Sequence, residues 1–152
     1  MIKKIDNIVE KAEICDKILR ALPDWFGIES SIVEYVENVQ SMPFWAVFAE
    51  NRAIGFIAVK EHFKKSAEIY VMGVLTDNHR KGTGKLLVDE SEKHLKSIDF
   101  EYYQVKTLSD SHPHEGYART REFYTSCGFE PLEEFKSLWG EANPALLMIK
   151  KL

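Results

Sequence analysis

Two cysteines in 152 residues cannot make a disulfide scaffold. Cys15 and Cys127 both fall in amphipathic stretches, which predicts buried, reduced thiols. No apolar run reaches the roughly 18 residues of a membrane span. The opening Met1-Ile-Lys-Lys-Ile-Asp lacks the apolar segment of a secretion signal, so the expected compartment is the cytoplasm. No block of basic residues occurs and the formal net charge is −4, which argues against long nucleic acids and acidic membranes as partners. Repeats, low-complexity tracts and linkers are missing as well. What remains is the length of one domain, residues 1–152, with 45% hydrophobic residues for its core.

Ile2 to Ile5 reads as a first strand. Ile8, Ala12, Cys15, Leu19 and Leu22 then recur at helical intervals until Pro23. Ser31 and Glu34 form a capping box ahead of a second helical stripe, Ile32, Tyr35, Val36 and Val39. Phe44–Ala49, Ala53–Val59 and Ala67–Leu75 are β-rich runs, the first two joined by a hairpin at Glu50-Asn51-Arg52. Together they predict an antiparallel meander, and Gly73 marks a bulge or a close approach within its third strand. A helix over Thr83–Ile98 buries Leu87, Val88, Leu95 and Ile98, and a strand over Tyr102–Leu108 completes a crossover. The loop Ser109–Gly116 leads to a helix over Tyr117–Cys127 that Gly128 ends. Phe129–Leu138 and Ala145–Lys150 are the last two strands.

The richest segment is Val74-Leu-Thr-Asp-Asn-His79-Arg80-Lys81-Gly82-Thr83-Gly84-Lys85, a strand end, a short loop and a helix start. Helix-start N–H groups have no internal partners, the dipole adds partial positive charge, and Gly82 and Gly84 admit a ligand to the backbone. Arg80, Lys81 and Lys85 add cations. The segment is therefore a candidate phosphate seat. It is not a Walker loop, which needs Gly where His79 stands and Ser or Thr where Leu86 stands, nor a dinucleotide fingerprint, which needs a small residue at Leu87.

His79-Arg80-Lys81-Gly82-Thr83-Gly84 is similar to the Gln/Arg-x-x-Gly-x-Gly/Ala pyrophosphate motif of the GNAT superfamily of acyl-coenzyme A-dependent N-acetyltransferases. Further along, Phe123-Tyr124-Thr-Ser-Cys-Gly128-Phe129 resembles that family's Tyr-x-x-x-Gly-Phe helix end. The resemblance covers nearly the whole chain. It departs at His79, where Gln or Arg is usual, and at Tyr117, where many members have Asn beside the pantetheine arm.

The resemblance implies an α/β fold of the mixed α+β kind: a mostly antiparallel sheet of six to seven strands, splayed at a cofactor cleft and flanked by about four helices. It implies acetyl-coenzyme A as acyl donor and a primary amine of a small molecule or peptide as acceptor. The pyrophosphate would lie on the turn from His79 to Lys85, and the arm would pair with Met72, Gly73 and Val74 and pass Tyr117. A free N–H near Met72 or Gly73 would polarise the thioester, Tyr124 would protonate the leaving thiolate, and Glu68 would be the base, directly or through water. Trp25, Phe26 and Trp139 would wall the acceptor. Trp45, which alternates inside a strand, reads as core. The alternative is a non-catalytic acyl-coenzyme A sensor or structural subunit. Homodimers are common in the family, but no interface is legible here. His112-Pro-His114-Glu115 lacks a further ligand at metal-site spacing and reads as a turn, so no metal is expected. Lys60, Glu61, Lys64 and Lys65 read as a solvated hairpin face.

Overall fold

The structure, a computed structural model, describes residues 1–152. Seven strands form one sheet: β1 (Ile2–Lys4), β2 (Phe44–Ala49), β3 (Arg52–Phe63), β4 (Ser66–Val74), β5 (Tyr102–Leu108), β6 (Glu130–Phe135) and β7 (Ala145–Lys151), in the order β1-β2-β3-β4-β5-β7-β6. Every pairing is antiparallel except β4 with β5, which the crossover helix forces to be parallel. Four helices flank the sheet: α1 (Ile8–Arg20), α2 (Glu29–Asn38), α3 (Thr83–Ser97) and α4 (Glu115–Ser126). None of them is long and apolar enough to cross a membrane.

Strand alternation divides the core between the two faces. Phe44, Ala46, Phe56, Ala58 and Val71 pack with Ile14, Cys15, Ile18 and Leu19 of α1, whereas Val47, Ile57, Val59 and Ile69 pack with Leu87 and Leu95 of α3 and Tyr124 of α4. Trp45 is in the α3 layer and almost fully buried, the core position its alternation predicted. Both cysteines are buried and unpaired, and burial pushes the Cys15 thiol up to about 12.

Local chemistry explains most element ends. Asn7 Oδ1 accepts from Glu10 N at 2.9 Å and starts α1. Glu50 and Asn51 have φ of 52° and 63°, the left-handed pair of a tight two-residue hairpin between β2 and β3. Gly128, at φ 97°, turns the chain out of α4 as expected.

Four expectations need correction. The capping box at Ser31 and Glu34 does not form, because Ile28 O already accepts from Ser31 N and Ile32 N and the helix has begun at Glu29. Ile8 and Ile98 are exposed rather than part of their helices' buried stripes, since each sits at a helix end beyond the sheet it would cover. The strand read over Ala53–Val59 runs on to Phe63, so Lys60 and Glu61 stand on its exposed end and Lys64 and Lys65 in the turn, the solvated hairpin face expected of them. The bulge is not at Gly73. Ala58 pairs with Val71 and Val59 with Ile69, which leaves Tyr70 as the extra residue, while Gly73 pairs regularly with Phe56. A Cβ on Gly73 would lie 3.1 Å from both Ile18 Cγ2 and Leu22 Cδ1, so close packing of α1 is what requires glycine there.

Candidate active site

β4 and β5 part where the bulge lies. Their pairing runs from Ser66 with Tyr102 to Ile69 with Val105 and then stops. An extra residue bends a strand and sharpens its twist, and here it carries the end of β4 away from its neighbour. The gap is the floor of an open cleft of about 1230 Å3.

Leu75 N donates to Ile54 O at 2.9 Å, toward β3. Alternation along the strand therefore turns the backbone groups of Val74 and Met72 toward the gap and those of Gly73 back to the ladder. Met72 and Val74 are thus the free positions on this edge. Val74 O already accepts from His79 Nε2 at 2.6 Å, so the His79 ring ties the glycine turn to β4, and its edge meets the Trp25 ring at 5.6 Å between centroids.

At the turn Arg80 and Gly82 have φ of 60° and 82°. Gly82 is the N-cap of α3 and offers no side chain; a Cβ added there would meet nothing within 4 Å. The first helical bond runs from Leu86 N to Gly82 O, so the N–H groups ahead of it have no intrahelical acceptor. Gly84 is glycine for another reason, since its Cβ would stand 2.9 Å from Phe123 Cζ on α4. The two sequence motifs therefore touch. Arg80 and Lys81 are exposed, and Lys85 lies along its own helix with its Nζ 3.2 Å from both oxygens of Asp89. Thr83 is buried and packs by Gly55, so it and Lys81 are the expected site residues that do not line the cleft.

On the α4 wall Tyr124 is almost fully buried yet lines the cleft, and burial pushes its phenol well above the usual range. It therefore keeps its proton at neutral pH. Tyr117 Oη donates to Trp25 O at 2.9 Å, so its hydroxyl is committed to the loop between α1 and α2. His114 Nδ1 accepts from Tyr117 N at 3.2 Å as the N-cap of α4, and its Nε2 lies 3.0 Å from Asp24 O. The turn read at His112–Glu115 thus fastens α4 to the loop carrying Trp25.

The opposite side of the cleft is made of side chains. Glu68 is nearly buried and held on every side: Lys106 Nζ lies 3.3 and 3.2 Å from its two oxygens, and Oε1 also meets His62 Nε2 at 2.6 Å and Gln104 Nε2 at 3.3 Å. Phe26, Tyr35 and Tyr70 stand edge to face at 6.0 and 5.4 Å, with Asn38 Nδ2 donating to Tyr70 Oη at 2.8 Å. Burial pushes the Tyr35 phenol up to about 12. Trp25, Phe26 and the exposed Trp139 all line the same cleft.

Tyr35 reads in the sequence only as part of a helical stripe and Tyr70 carries no mark there, nor do His62, Gln104 and Lys106, the partners of Glu68. Their only signal is registration: Glu68 opposes Lys60 on β3 and Gln104 on β5, so His62 and Lys106 are its diagonal neighbours.

Comparison with known proteins converges on one group. Residues 40–131 match the family model described as an acetyltransferase (GNAT) domain. A mycothiol acetyltransferase of Actinosynnema mirum is 29% identical over 114 residues, which cover 75% of this chain but only 32% of that protein. A GNAT-family protein from Desulfovibrio desulfuricans superposes with a TM-score of 0.84 at 12% identity, covering 99% of this chain and 98% of that one. An aminoglycoside 6'-N-acetyltransferase solved with coenzyme A does so with a TM-score of 0.77 at 20% identity, covering 99% and 96%. At these identities the two structures speak for the fold.

Proposed function

The chain belongs to the GNAT acetyltransferase family, and we propose that it moves the acetyl group of acetyl-coenzyme A to a primary amine by direct attack within a ternary complex. One observation carries the reading. An uncapped helix start and an unpaired strand edge open onto the same cleft as a protonated tyrosine.

In this reading the diphosphate rests on the N–H groups of the turn from Arg80 to Lys85, and the pantetheine arm extends the sheet along Met72 and Val74. The amine nitrogen attacks the thioester carbonyl, whose developing oxyanion takes the N–H of Met72. Such a donor is worth about 3 kcal/mol to an acyl-transfer transition state. As the carbon–sulfur bond breaks, Tyr124 gives its proton to the thiolate. The proton lost by the amine goes to Glu68, directly or through water, while Lys106 and Gln104 keep that carboxylate in place. Trp25, Phe26 and Trp139 suit an amine on an apolar or flat group.

The test is release of coenzyme A thiol over a panel of primary amines. Amine-dependent release is the expected result. Tight coenzyme A binding with no release for any amine would favour a non-catalytic acyl-coenzyme A sensor on the same fold.

A further inference from the structure

Of all side-chain nitrogen and oxygen atoms shut off from solvent, two have no hydrogen-bond partner: Thr107 Oγ1 and His112 Nδ1. Buried polar atoms are nearly always paired, because an unmet one costs about 1–3 kcal/mol. Two exceptions scattered through the protein would be unremarked packing faults. These two line the same cleft.

Their place in the fold restricts what they meet. Thr107 is only 3% exposed and follows Tyr103 and Val105 at two-residue steps, so it faces the α3 and α4 layer, as Tyr124 does. Glu68 and its partners Gln104 and Lys106 belong to the other face. The unpaired hydroxyl is therefore on the donor side of the gap. Part of the backbone there is spoken for: Ser109 N donates to Pro144 O, and the neighbouring Leu108 O accepts from Arg121 Nη1 at 2.7 Å. Tyr117 is spoken for as well, its hydroxyl held by Trp25 O. On this wall Thr107 Oγ1 and His112 Nδ1 are the solvent-shut side-chain atoms with hydrogen-bonding capacity left over.

We infer that Thr107 Oγ1 and His112 Nδ1 hold the amide groups of the coenzyme's pantetheine arm from the β5 side, facing the Met72 and Val74 backbone across the gap. The inference rests on the acetyl-transfer reading above. The arm carries two amides and a hydroxyl, more polar groups than one strand edge can satisfy. A threonine hydroxyl both donates and accepts, and an imidazole nitrogen does one or the other according to its tautomer, so the pair suits an amide's N–H and C=O.

Calorimetric titration with coenzyme A and with its arm-free nucleotide fragment, adenosine bisphosphate, tests this on the parent, Thr107→Val, Thr107→Ser and His112→Leu. Thr107→Val is expected to bind coenzyme A about three- to tenfold more weakly, the size of one hydrogen bond. It should bind the nucleotide fragment like the parent, with a melting temperature equal or higher because an unmet buried hydroxyl is gone. Thr107→Ser should restore coenzyme A affinity, and His112→Leu should show the same selective loss. Parental coenzyme A affinity in Thr107→Val, or equal losses for both ligands, overturns the inference and leaves acetyl transfer standing. A parent that binds no coenzyme A overturns both.

Discussion

The glycine turn and the Glu68 side of the cleft are built in opposite ways. The turn presents main-chain N–H groups from one contiguous segment, Arg80 to Lys85, with its cations exposed or turned along the helix. The Glu68 side presents side chains instead. Its surface comes from side chains of α2, β3, β4 and β5. Main-chain donors bind a group that every such donor has in common, such as a diphosphate, whereas side chains assembled from four elements define an individual shape and charge. In the proposed reading, the difference assigns recognition of the coenzyme to main chain and of the acceptor to side chains.

Four experiments can break or sharpen that contrast. Tyr124 stands between the regions, so its loss should affect chemistry alone. Tyr124→Phe is expected to lose at least about tenfold in turnover, the lower side of general-acid contributions, with coenzyme A affinity retained. Unchanged turnover in the thiol-release assay would remove Tyr124 from the mechanism.

Within the turn, the two glycines should respond differently. Gly82→Val places a side chain in open space before the phosphate seat at a φ of 82°, so coenzyme A affinity should fall more than the melting temperature, which registers about 1–2 kcal/mol of backbone strain. Gly84→Ala instead strikes the Phe123 ring, so its stability cost should be relieved in a Phe123→Ala background. Strict additivity of the Gly84 and Phe123 changes would contradict that contact.

The smallest effect belongs to the side-chain region and to alkaline pH. The folded protein holds the Tyr35 phenol at about 12 against an ordinary 10, so folding favours the protonated form. Its contribution is complete below pH 10 and lost as pH rises from 10 to 12. Melting curves across that window should fall less steeply for Tyr35→Phe than for the parent; parallel curves would mean that Tyr35 ionises as it does in the unfolded chain.

The same contrast explains what could be read from the sequence. The turn, the crossover and the helix end at Gly128 were legible because each is a property of consecutive residues: a helix start, a parallel strand pair that needs a helix between, a left-handed stop. Glu68 was noticed, but its binding by His62, Gln104 and Lys106 was not, because those residues meet it only once three strands are in register. Of the two causes that Gly73 could signal, a bulge and a close approach, only the second holds. A bulge has no residue requirement that would mark Tyr70, whereas the missing Cβ of Gly73 answers to α1 on the far side of the sheet. Thr107 and His112 carry no local signal either, since an unmet hydrogen bond is visible only when every other partner is known.

Tyr70 also changes the parity of its strand. Ile69 and Met72, three positions apart, share the α3 side, while Val71 between them belongs with α1. Odd and even thus exchange meaning halfway along β4, and a length change of a single residue there would not act like a loop indel. It would swap which helix layer each later side chain addresses, moving the whole Met72–Val74 edge to the wrong storey of the building.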